Sequence, residues 1–534
     1  MTDEPGPSAE RRAISELERV IRARVAAHPD EVWLKWLDEQ FTWSHALSLM
    51  QRTANGLLEL GIGPGETIAI MTKNRPEFLW TYFGAAMIGV SVVPVNISQR
   101  GPTLEHILID SDACVVVCDS SLRDLVLAVK QRTDALRVTI VLDGPVRGID
   151  RTFDQLLSAT DAEPDAVART DSPGAAIMYT SGTTGPPKGV VTERRQHDQS
   201  AFMAILASLK VRAGETIYTS LPLFHGNALY VSVVGSILLD AKLALAERFS
   251  ASRIWEDCRK YEAVSFNTLG GMIPILLKQP ESELDRSNPV RVILDAGCPA
   301  ELWKRFEDRF AVSLVEWYGM VDAPGYLLNE GGPVGSMGRP VGGVEFKIVD
   351  DDGQPLPPNR IGELVFRDPS GRATRYHRQP DATESAYQLG WFQTGDLAEQ
   401  DEAGWFYFRG RKKASIRRLG ENISAWEIET VLNEHSAVLE SAAFAVRSEL
   451  GEDEVAVAVV PRRPEDIRAE ELVEYCAGKM AHYAVPRYVF FLEEIPKTAT
   501  ERVQYGVLRE RGLPHDAWDS RSTPAGEPSK GRGR

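Results

Sequence analysis

The stretch Ile177-Met178-Tyr179-Thr180-Ser181-Gly182-Thr183-Thr184-Gly185-Pro186-Pro187-Lys188-Gly189-Val190 decides how the rest of this sequence is interpreted. It begins as an apolar run typical of a buried strand and continues as a turn rich in glycine and hydroxyl groups. Glycine lets backbone N–H groups come close to a ligand, and successive N–H groups in such a turn form a concave anion site. Threonine and serine hydroxyls add donors, and Lys188 adds a positive charge suited to phosphate. The stretch therefore predicts a cradle for a polyphosphate.

Two other interpretations of this stretch have to be weighed. It is not the nucleotide-binding loop G-x-x-x-x-G-K-[ST], because Gly182 and Gly185 are followed by two prolines before the lysine. A surface turn without function is the simpler explanation, and it would suffice for an isolated glycine turn. The whole string, which ends in one lysine, favours the phosphate cradle.

The composition predicts a multidomain globular protein. A chain of 534 residues is too long for one ordinary hydrophobic core, so two or more domains are expected. Hydrophobic residues make up 43% of the chain and charged residues 25%, as in ordinary globular proteins. The net charge of −16 argues against broad binding to nucleic acid or to an anionic membrane, whose phosphates would repel it. A local basic cleft for a small anionic substrate remains compatible with that charge.

The sequence predicts neither a membrane-spanning segment nor a signal peptide. The longest apolar run starts at Gly84, contains Pro94 and falls short of the roughly 18 residues that span a bilayer. The extreme N-terminus is polar and charged, unlike a secretory signal. Five scattered cysteines without metal-binding spacing indicate free thiols in a reducing compartment. We therefore predict a cytoplasmic protein, with the oligomeric state, a homodimer included, left open.

The order of apolar strands and helical patterns predicts an α/β fold. Strands alternate with helices as far as about Val315, which is typical of βαβ units and parallel sheets. Short strands with glycine-rich turns then predict a β-rich subdomain. The predicted boundaries are a disordered N-terminus at 1–12, a large N-terminal part at 13–409, a small α+β domain at 410–514 and a flexible tail at 515–534.

Several further motifs follow the phosphate cradle along the chain. They are Leu221–Ala228, Arg291–Pro299, Val315–Asp322, Trp391–Leu397, Gly410–Lys413, Ile416–Ser424 and Pro496–Tyr505. Taken alone, each is weak. His225 is also explained as a loop histidine, Asp295 as a strand-end residue that caps a turn, and Asp396 as a turn aspartate after glycine. Their order and spacing make the case for a single active site.

Taken together, these motifs resemble the signatures of the adenylate-forming superfamily, which includes acyl-CoA synthetases, luciferases and the adenylation domains of peptide synthetases. The resemblance extends over about residues 15–512 and is greatest for the crotonobetaine/carnitine-CoA ligase branch. It implies an N-terminal adenylation domain of two α/β subdomains and a β-rich subdomain, followed by a small mobile α+β lid with its hinge at Lys413. It also implies ATP and Mg²⁺ as cofactors, CoA as co-substrate and small molecules as the other partners.

The resemblance also assigns roles to individual residues. It implies that His225 flanks the reacting carboxylate, that Tyr318 stacks on adenine and that Asp396 accepts the ribose hydroxyls. The residues implied in nucleotide binding are Thr180, Ser181, Gly182, Thr183, Thr184, Gly185, Lys188, Gly297, Tyr318, Asp396 and Arg411. The implied substrate pocket comprises His225, Gly226, Gly270, Asp295 and Ala296. The implied catalytic residues are His225, Lys188 and Arg502, and the implied metal ligand is Asp322.

The sequence departs from the family pattern where the acyl group and the α-phosphate meet. Val321 replaces a threonine, and Asp322 replaces the glutamate that helps to hold Mg²⁺. An aspartate still offers oxygen ligands but reaches one methylene less. Arg502 replaces the lysine of the final motif, and Glu501 replaces a glycine. Arginine keeps the charge, but its planar fork is not equivalent to an ammonium group.

Three hypotheses about function follow. The leading one is an AMP- and pyrophosphate-forming ligase that activates an aryl or acyl carboxylate and transfers it to a nucleophile, usually CoA. The second is an ATP-dependent diazotase of secondary metabolism, which resembles the same branch, activates nitrite as nitrosyl-adenylate and diazotises an aromatic amine such as an aminobenzoate. The third is a catalytically inactive nucleotide-binding homologue, which the loss of the lysine favours and the intact phosphate loop opposes.

Overall fold

The computed structural model of the chain describes residues 16–144, 150–164, 176–180, 186–192, 200–269, 272–298, 300–350, 352–371, 373–411, 415–419, 421–448, 452–463, 467–496, 503 and 505–522. Several predicted features lie outside these ranges. They are the N-terminus at 1–12, the end of the tail from 523, and the site residues Ser181, Gly182, Thr183, Thr184, Gly185, Gly270, Lys413 and Arg502 with its neighbour Glu501. Arg411 is described through its backbone alone.

The chain divides into two compact units. The larger comprises Met1–Ile97, His106–Thr180 and Lys188–Lys412, and the smaller comprises Ser98–Glu105, Ser181–Pro187 and Lys413–Arg534. The main division therefore follows Lys412, close to the boundary between 409 and 410 that we predict from the sequence.

The first sheet of the larger unit has seven strands and carries the end of the phosphate stretch at one edge. Its strands are parallel except for the last pair, which is antiparallel. In spatial order they are Arg151–Thr152, Val138–Val141, Ala113–Cys118, Thr67–Met71, Ser91–Pro94, Ala176–Thr180 and Lys188–Thr192. The central strands are apolar throughout because a parallel sheet is covered on both faces.

The second sheet has nine strands and supplies most of the predicted site residues. In spatial order they are Arg339–Pro340, Ala323–Asn329, Ser313–Met320, Val292–Asp295, Ala263–Asn267, Thr216–Thr219, Lys242–Leu245, Val32–Trp36 and Glu39–Thr42. The strands from Ser313–Met320 to Val32–Trp36 are parallel, and the edges are antiparallel. The hairpin of Val32–Trp36 and Glu39–Thr42 thus forms one edge of a sheet whose other strands lie more than 170 residues later in the chain.

An aromatic cluster holds the N-terminal hairpin in the core of the larger unit. Trp33 is fully buried, stacks on Trp43 with ring centroids 5.1 Å apart and donates its indole N–H to Ser236 Oγ at 3.0 Å. Trp80 packs against Trp33 with its ring tilted. Large aromatic side chains bury much apolar surface, so this cluster makes a strong contribution to the stability of the core.

The helices of the larger unit connect and cover the strands. They are Glu16–Ala27, Trp43–Glu59, Pro76–Met87, Gly101–Asp110 (partly assigned to the smaller unit), Arg123–Lys130, Phe153–Leu157, Ser200–Ser208, Gly235–Leu238, Ile254–Tyr261, Met272–Leu277, Ala300–Phe310 and Pro380–Ser385. A π-helical segment, Asn227–Val234, follows the motif that contains His225. Such segments occur frequently at functional sites.

A five-stranded antiparallel sheet completes the larger unit and forms the β-rich subdomain predicted from the sequence. Its strands are Glu345–Val349, Gly362–Arg367, Trp391–Gln400, Tyr387–Gln388 and Phe406–Arg411. Asp396 lies directly opposite Arg411 in the register of two neighbouring strands.

The smaller unit is an α+β domain whose sheet is covered on both faces. It contains the two-stranded ribbon Ser415–Arg418 and Glu421–Ser424, and a four-stranded sheet of Val438–Arg447, Asp453–Pro461, Tyr488–Phe491 and Trp518–Asp519. Its helices are Ala425–Asn433, Ala469–Ala477 and Tyr505–Arg511. Alternate residues of Asp453–Pro461 point into two separate apolar clusters, as expected for a strand buried on both sides.

Three expectations from the sequence concern the C-terminal tail, the cysteines and membrane-spanning segments. The flexible tail predicted from residue 515 contains ordered structure as far as Ser522, because Trp518–Asp519 pairs with Tyr488–Phe491. All five cysteines are free thiols, as predicted. Within the described ranges, no helix is both long and apolar enough to cross a membrane.

Candidate active site

The predicted site residues of the nine-stranded sheet follow the carboxyl ends of neighbouring parallel strands. His225 lies beyond Thr216–Thr219, and Asp295 ends Val292–Asp295, while Tyr318 lies near the end of Ser313–Met320. In open parallel sheets this edge is where ligands bind, because the loops after each strand converge there. The topology therefore brings together motifs that are far apart in the sequence.

The phosphate stretch is described at its two ends. Thr180 and Lys188 are paired residues on the antiparallel strands Ala176–Thr180 and Lys188–Thr192. The segment at residues 375–377 runs along the second strand, with Val191 donating to Arg375 and His377 donating to Gly189. This arrangement places the ring of Tyr376 beside Lys188, whose Nζ lies 4.8 Å from the ring centroid.

Asp322 is the point at which the phosphate stretch meets the motif Val315–Asp322. Its Oδ1 accepts hydrogen bonds from Thr180 Oγ1 at 3.4 Å and from the Tyr376 hydroxyl at 2.9 Å. Its backbone carbonyl accepts from the Thr374 hydroxyl. Burial, followed by the charge of Asp322 and its hydrogen bond, raises the pKa of Tyr376, so its hydroxyl stays protonated and can donate. The carboxylate is thus oriented by two hydroxyl donors and lies in the same cluster as the Lys188 cation.

Tyr318 links the same motif to the aspartate predicted to hold ribose. The Tyr318 hydroxyl donates to Asp396 Oδ2 at 2.7 Å, and Asp396 is only 3% exposed. The position before this aspartate in the strand Trp391–Gln400 favours glycine, because Gly395 has a φ of +72°. The backbone N–H of Asp396 also donates to Thr394 Oγ1 at 3.0 Å. The carboxylate is therefore positioned by the strand that carries it and held by the tyrosine.

The motif containing His225 contacts Val321. A Cβ atom built on Gly226 would lie 3.2 Å from Val321 Cγ2, so the glycine allows a close approach between the two motifs. His225 is half-buried and packs against the Phe224 ring with centroids 4.8 Å apart. The valine that replaces the family's threonine therefore packs against the residue next to the predicted catalytic histidine.

A buried asparagine fixes the loop that leads to His225. Asn74 is 4% exposed, and its amide nitrogen donates to the carbonyls of Leu221 and Ala246, both at 2.9 Å. Its amide oxygen accepts from the backbone N–H of Leu223 at 2.9 Å. The sequence alone did not identify this residue as part of the site, because it lies almost 150 residues before the loop it holds.

Asp295 and Glu316 form a pair of buried carboxyl groups at the turn that carries Ala296 and Gly297. Asp295 Oδ1 accepts from the Thr268 hydroxyl at 2.6 Å. Glu316 accepts from the backbone N–H groups of Gly297 at 2.6 Å and Cys298 at 3.3 Å. Burial, followed by the charge of Asp295, raises the pKa of Glu316 well above its usual range.

The residues that are described fit a divalent cation of the kind expected with ATP. Mg²⁺ is usually held by one or two carboxylates together with substrate phosphates and water, so a dedicated cage of protein ligands is not needed. Asp322 offers such a carboxylate, and the described residues contain no cluster of three or more metal-ligating side chains. The chemistry of this single oxygen donor suits a cation that arrives with the nucleotide.

The structure brings the predicted residues together in three contacts around Val315–Asp322. They are Thr180 with Asp322, Tyr318 with Asp396, and Gly226 with Val321. Three contributors were missed by sequence reasoning, namely Asn74, Tyr376 and Glu316. Glu316 had a usable signal, because the two-residue period of a strand places it on the same face as Tyr318.

Comparison with known proteins defines the class of this chain. The model of the AMP-binding enzyme family matches residues 21–377, and the model of the AMP-binding enzyme C-terminal domain matches residues 427–502. The chain belongs to the AMP-binding enzyme family. Within that family it is of the adenylate-forming acid–CoA ligase type.

Its relatives are similar over almost their whole length. Oxalate–CoA ligase of Arabidopsis thaliana is 30% identical over 495 residues, which cover 89% of this chain and 94% of that protein. Crotonobetaine/carnitine–CoA ligase of Salmonella typhi is 29% identical over 480 residues, with 87% and 92% covered. The second agrees with the branch indicated by the sequence motifs.

Solved structures share the fold. An o-succinylbenzoate CoA synthetase from Bacillus subtilis superposes with a TM-score of 0.79 at 26% identity, covering 92% of this chain and 98% of that one. An amide bond synthetase from Marinactinospora thermotolerans reaches a TM-score of 0.78 at 22% identity, with 93% and 99% covered. The predicted α/β architecture with its β-rich and C-terminal parts is therefore confirmed.

Proposed function

We propose that this protein is an ATP-dependent ligase that activates a small aryl or acyl carboxylate as its adenylate and transfers the acyl group to CoA. The observation that carries the proposal is the convergence of Thr180, Asp396 and Gly226 on the single motif Val315–Asp322. Nucleotide and acid would then bind next to each other, which suits the joining of the acid to the α-phosphate.

In the first half-reaction, a carboxylate oxygen attacks the α-phosphorus of ATP, the bond to the β-phosphate breaks, and pyrophosphate leaves. Such chemistry depends on positioning and charge neutralisation more than on covalent participation of the protein. Lys188 and the hydroxyl of Thr180 would bind the phosphates, Asp396 would accept the ribose hydroxyls, and His225 would flank the acid. Mg²⁺ held at Asp322 would supply positive charge that offsets the negative charge of the phosphates.

In the second half-reaction, the sulfur of CoA attacks the acyl carbon, the bond to AMP breaks, and AMP leaves with the electron pair. We propose that the smaller unit acts as the mobile lid, with the hinge at Lys413, and that Arg502 supplies the charge of the family's lysine. Arg411 would reach the ribose together with Asp396. Support comes from the match of the C-terminal domain model to residues 427–502.

A diazotase is the second candidate, because the departures from the family pattern concentrate where the acid is activated. Val321 brings an apolar group to Gly226, and an additional carboxyl group lies at Asp295. In this reaction a nitrite oxygen attacks the α-phosphorus, the bond to the β-phosphate breaks and pyrophosphate leaves. The nitrogen of an aromatic amine then displaces AMP from the nitrosyl group. Loss of water gives the diazo compound.

One experiment separates these candidates. The protein is incubated with ATP and Mg²⁺, with CoA, nitrite and a mixed panel of aryl acids and amines, and the products are identified by mass spectrometry. An acyl-CoA with AMP supports the ligase, and a diazo compound that requires nitrite supports the diazotase. Binding of ATP without any turnover would overturn both proposals in favour of an inactive homologue.

The assignment of the nucleotide site has its own test. Lys188→Ala removes the cation of the phosphate stretch, and Asp396→Ala removes the buried carboxylate that Tyr318 holds at 2.7 Å. Each variant should raise the dissociation constant of ATP about tenfold or more, the typical effect of losing a charged hydrogen-bonding partner. Unchanged ATP binding in both variants would contradict the assignment.

A further inference from the structure

The two carboxyl groups of Asp295 and Glu316 lie in direct contact. They are register partners on the neighbouring parallel strands Val292–Asp295 and Ser313–Met320. Their side chains are within hydrogen-bonding reach of each other. Asp295 is fully buried and Glu316 is 5% exposed, so little water screens one group from the other.

The hydrogen bonds that the structure describes for the pair come from neutral donors. Asp295 Oδ1 accepts from the Thr268 hydroxyl at 2.6 Å, and the backbone N–H of Thr268 donates to Leu294 at 2.9 Å. Glu316 accepts from the N–H groups of Gly297 and Cys298. These hydroxyl and backbone N–H donors are all neutral.

Two adjacent carboxylates cannot both be ionised at low cost in a buried site, whereas one shared proton turns their repulsion into a strong hydrogen bond. We propose that Asp295 and Glu316 share a single proton and act as one positioning unit, which holds the turn at Gly297 and Cys298 in the conformation that binds the nucleotide. The unit acts through the backbone of that turn. This inference rests on the proposed function only in assigning the turn to the nucleotide site.

The geometry explains why the proton matters for the turn. Glu316 uses both of its oxygens on the backbone N–H groups of the turn, Oε1 on Gly297 and Oε2 on Cys298. Gly297 has a φ of +102°, a conformation that glycine adopts readily and that other residues rarely adopt. If both carboxyl groups were ionised, their repulsion would push Glu316 away from Asp295, and the support of the turn would be lost.

The groups that face the pair set the direction of its pH dependence. Asp295 faces Glu316 from the strand Val292–Asp295, and Cys298 faces it from the turn. On the other side, the register partner of Glu316 on the strand Ala323–Asn329 is Asn329, which does not titrate. On the same strand as Glu316, Tyr318 donates its hydroxyl to Asp396. Because the folded protein raises the pKa of Glu316, the pair stabilises the fold at low pH, and this contribution is lost as the pH rises from the ordinary glutamate value to the raised one.

Conservative and apolar substitutions of Asp295 separate positioning from simple packing. In Asp295→Asn, the amide N–H₂ donates to Glu316 without a titrating proton, while the amide oxygen still accepts from Thr268. In Asp295→Leu, the side chain has a similar volume but can neither donate to Glu316 nor accept from Thr268. Glu316→Gln is the reciprocal variant, and Asp257→Asn is the matched control, since Asp257 is a buried aspartate that accepts from Tyr218 at 3.1 Å and pairs with Arg253.

The experiment has two readouts on the full-length protein. Thermal unfolding without nucleotide is measured from about pH 5 to about pH 9, and the dissociation constant of ATP is measured at neutral pH. We expect the melting temperatures of Asp295→Asn and Glu316→Gln to rise relative to wild type as the pH increases, with no such trend in Asp257→Asn. Asp295→Leu should bind ATP about tenfold more weakly than Asp295→Asn does.

The outcomes distinguish this inference from the proposed function. Melting-temperature differences that do not change with pH for Asp295→Asn and Glu316→Gln would overturn the shared proton. Equal ATP binding by Asp295→Leu and Asp295→Asn would overturn the positioning role. If the wild-type protein does not bind ATP at all, the proposed function fails, while the unfolding measurements still decide whether the two residues share a proton.

Discussion

Removal of one hydroxyl group, in Tyr376→Phe, tests how the candidate site orients its acidic residue. The hydroxyl donates to Asp322 Oδ1 at 2.9 Å, whereas the ring lies beside the Lys188 ammonium, 4.8 Å from its centroid. The substitution deletes the hydrogen bond and keeps the ring. Any loss can therefore be attributed to the orientation of Asp322 and not to the contact with Lys188.

The size of the effect follows from the nature of the bond. A hydrogen bond to a charged group contributes about 1.5–3 kcal/mol, and the lower end applies here because Tyr376 and Asp322 are both half-buried. A free energy of about 1.4 kcal/mol corresponds to about a tenfold change. We expect kcat/KM for MgATP to fall about tenfold, since Thr180, at 3.4 Å, remains as the other hydroxyl donor to Asp322 Oδ1.

The assay is pyrophosphate release under saturating acid, with MgATP varied. Tyr407→Phe is the matched control, because the Tyr407 hydroxyl also donates to an aspartate, Asp401 Oδ2, at 3.1 Å, in the β-rich sheet. Burial raises the pKa of Tyr376, so the defect should persist unchanged across the neutral and alkaline range. Wild-type kinetics in Tyr376→Phe, or an equal loss in Tyr407→Phe, would show that the Tyr376 hydroxyl does not orient Asp322 for activity.

Three further predictions concern the loop to His225 and the smaller unit. Asn74→Ala should lower activity at temperatures where the protein is still folded, because it releases the loop that leads to His225. The control Asn55→Ala also loses two hydrogen bonds to carbonyls but should lower only the melting temperature. Equal activity in the two variants would contradict this prediction. Glu454→Ala should destabilise the smaller unit by about 3–5 kcal/mol in urea unfolding, since its buried carboxylate lies within 3.2 Å of three arginines. Glu471→Ala, at an exposed position, should leave the unfolding transition close to that of wild type. Burial, followed by the charge of a neighbouring glutamate, raises the pKa of Glu427 to about 7, so its contribution to stability is lost as the pH rises from the ordinary glutamate value towards 7. Glu427→Gln should therefore raise the melting temperature above pH 7 and not near pH 5, with an upper limit of about 3 kcal/mol; a gain of the same size at both pH values would refute this assignment.

The local elements of this fold were predictable because they are written in short-range patterns. The apolar run Thr67–Met71 forms a strand, and Trp43–Glu59 forms a helix. Gly61, with a φ of +75°, follows the end of that helix, a common place for glycine. Patterns of this kind depend on a residue and its immediate neighbours, so they can be interpreted without knowing how the rest of the chain folds.

The order of strands in the sheets was not predictable, since it depends on contacts between distant segments. The strand Val32–Trp36 pairs with Lys242–Leu245, and no local signal specifies that partner. The same holds for Tyr376 and Asp322, which meet because the segment around Tyr376 runs along the strand that carries Lys188. Site residues within named motifs were therefore identified from the sequence, whereas those that support them from other elements were not.

The position of Glu316 in its strand makes it a site candidate that the sequence could have indicated. It lies two residues before Tyr318 in one strand, so both side chains lie on the same face. Its pairing with Asp295 needed the parallel register of two strands, which the sequence does not contain. The carboxyl group was thus visible as a candidate, but its partner was not.

In the proposed reaction, an oxygen of the acid attacks the α-phosphorus of ATP at the site formed by Thr180, Lys188, Asp322 and Asp396. The most direct measurement uses a carboxylate substrate, or nitrite, labelled with heavy oxygen, and analyses the nucleotide product by mass spectrometry. We predict AMP that carries one labelled oxygen, together with pyrophosphate, because the acid oxygen stays on phosphorus when the adenylate is displaced. Unlabelled AMP, or ADP with inorganic phosphate, would contradict the attack of the acid on the α-phosphorus.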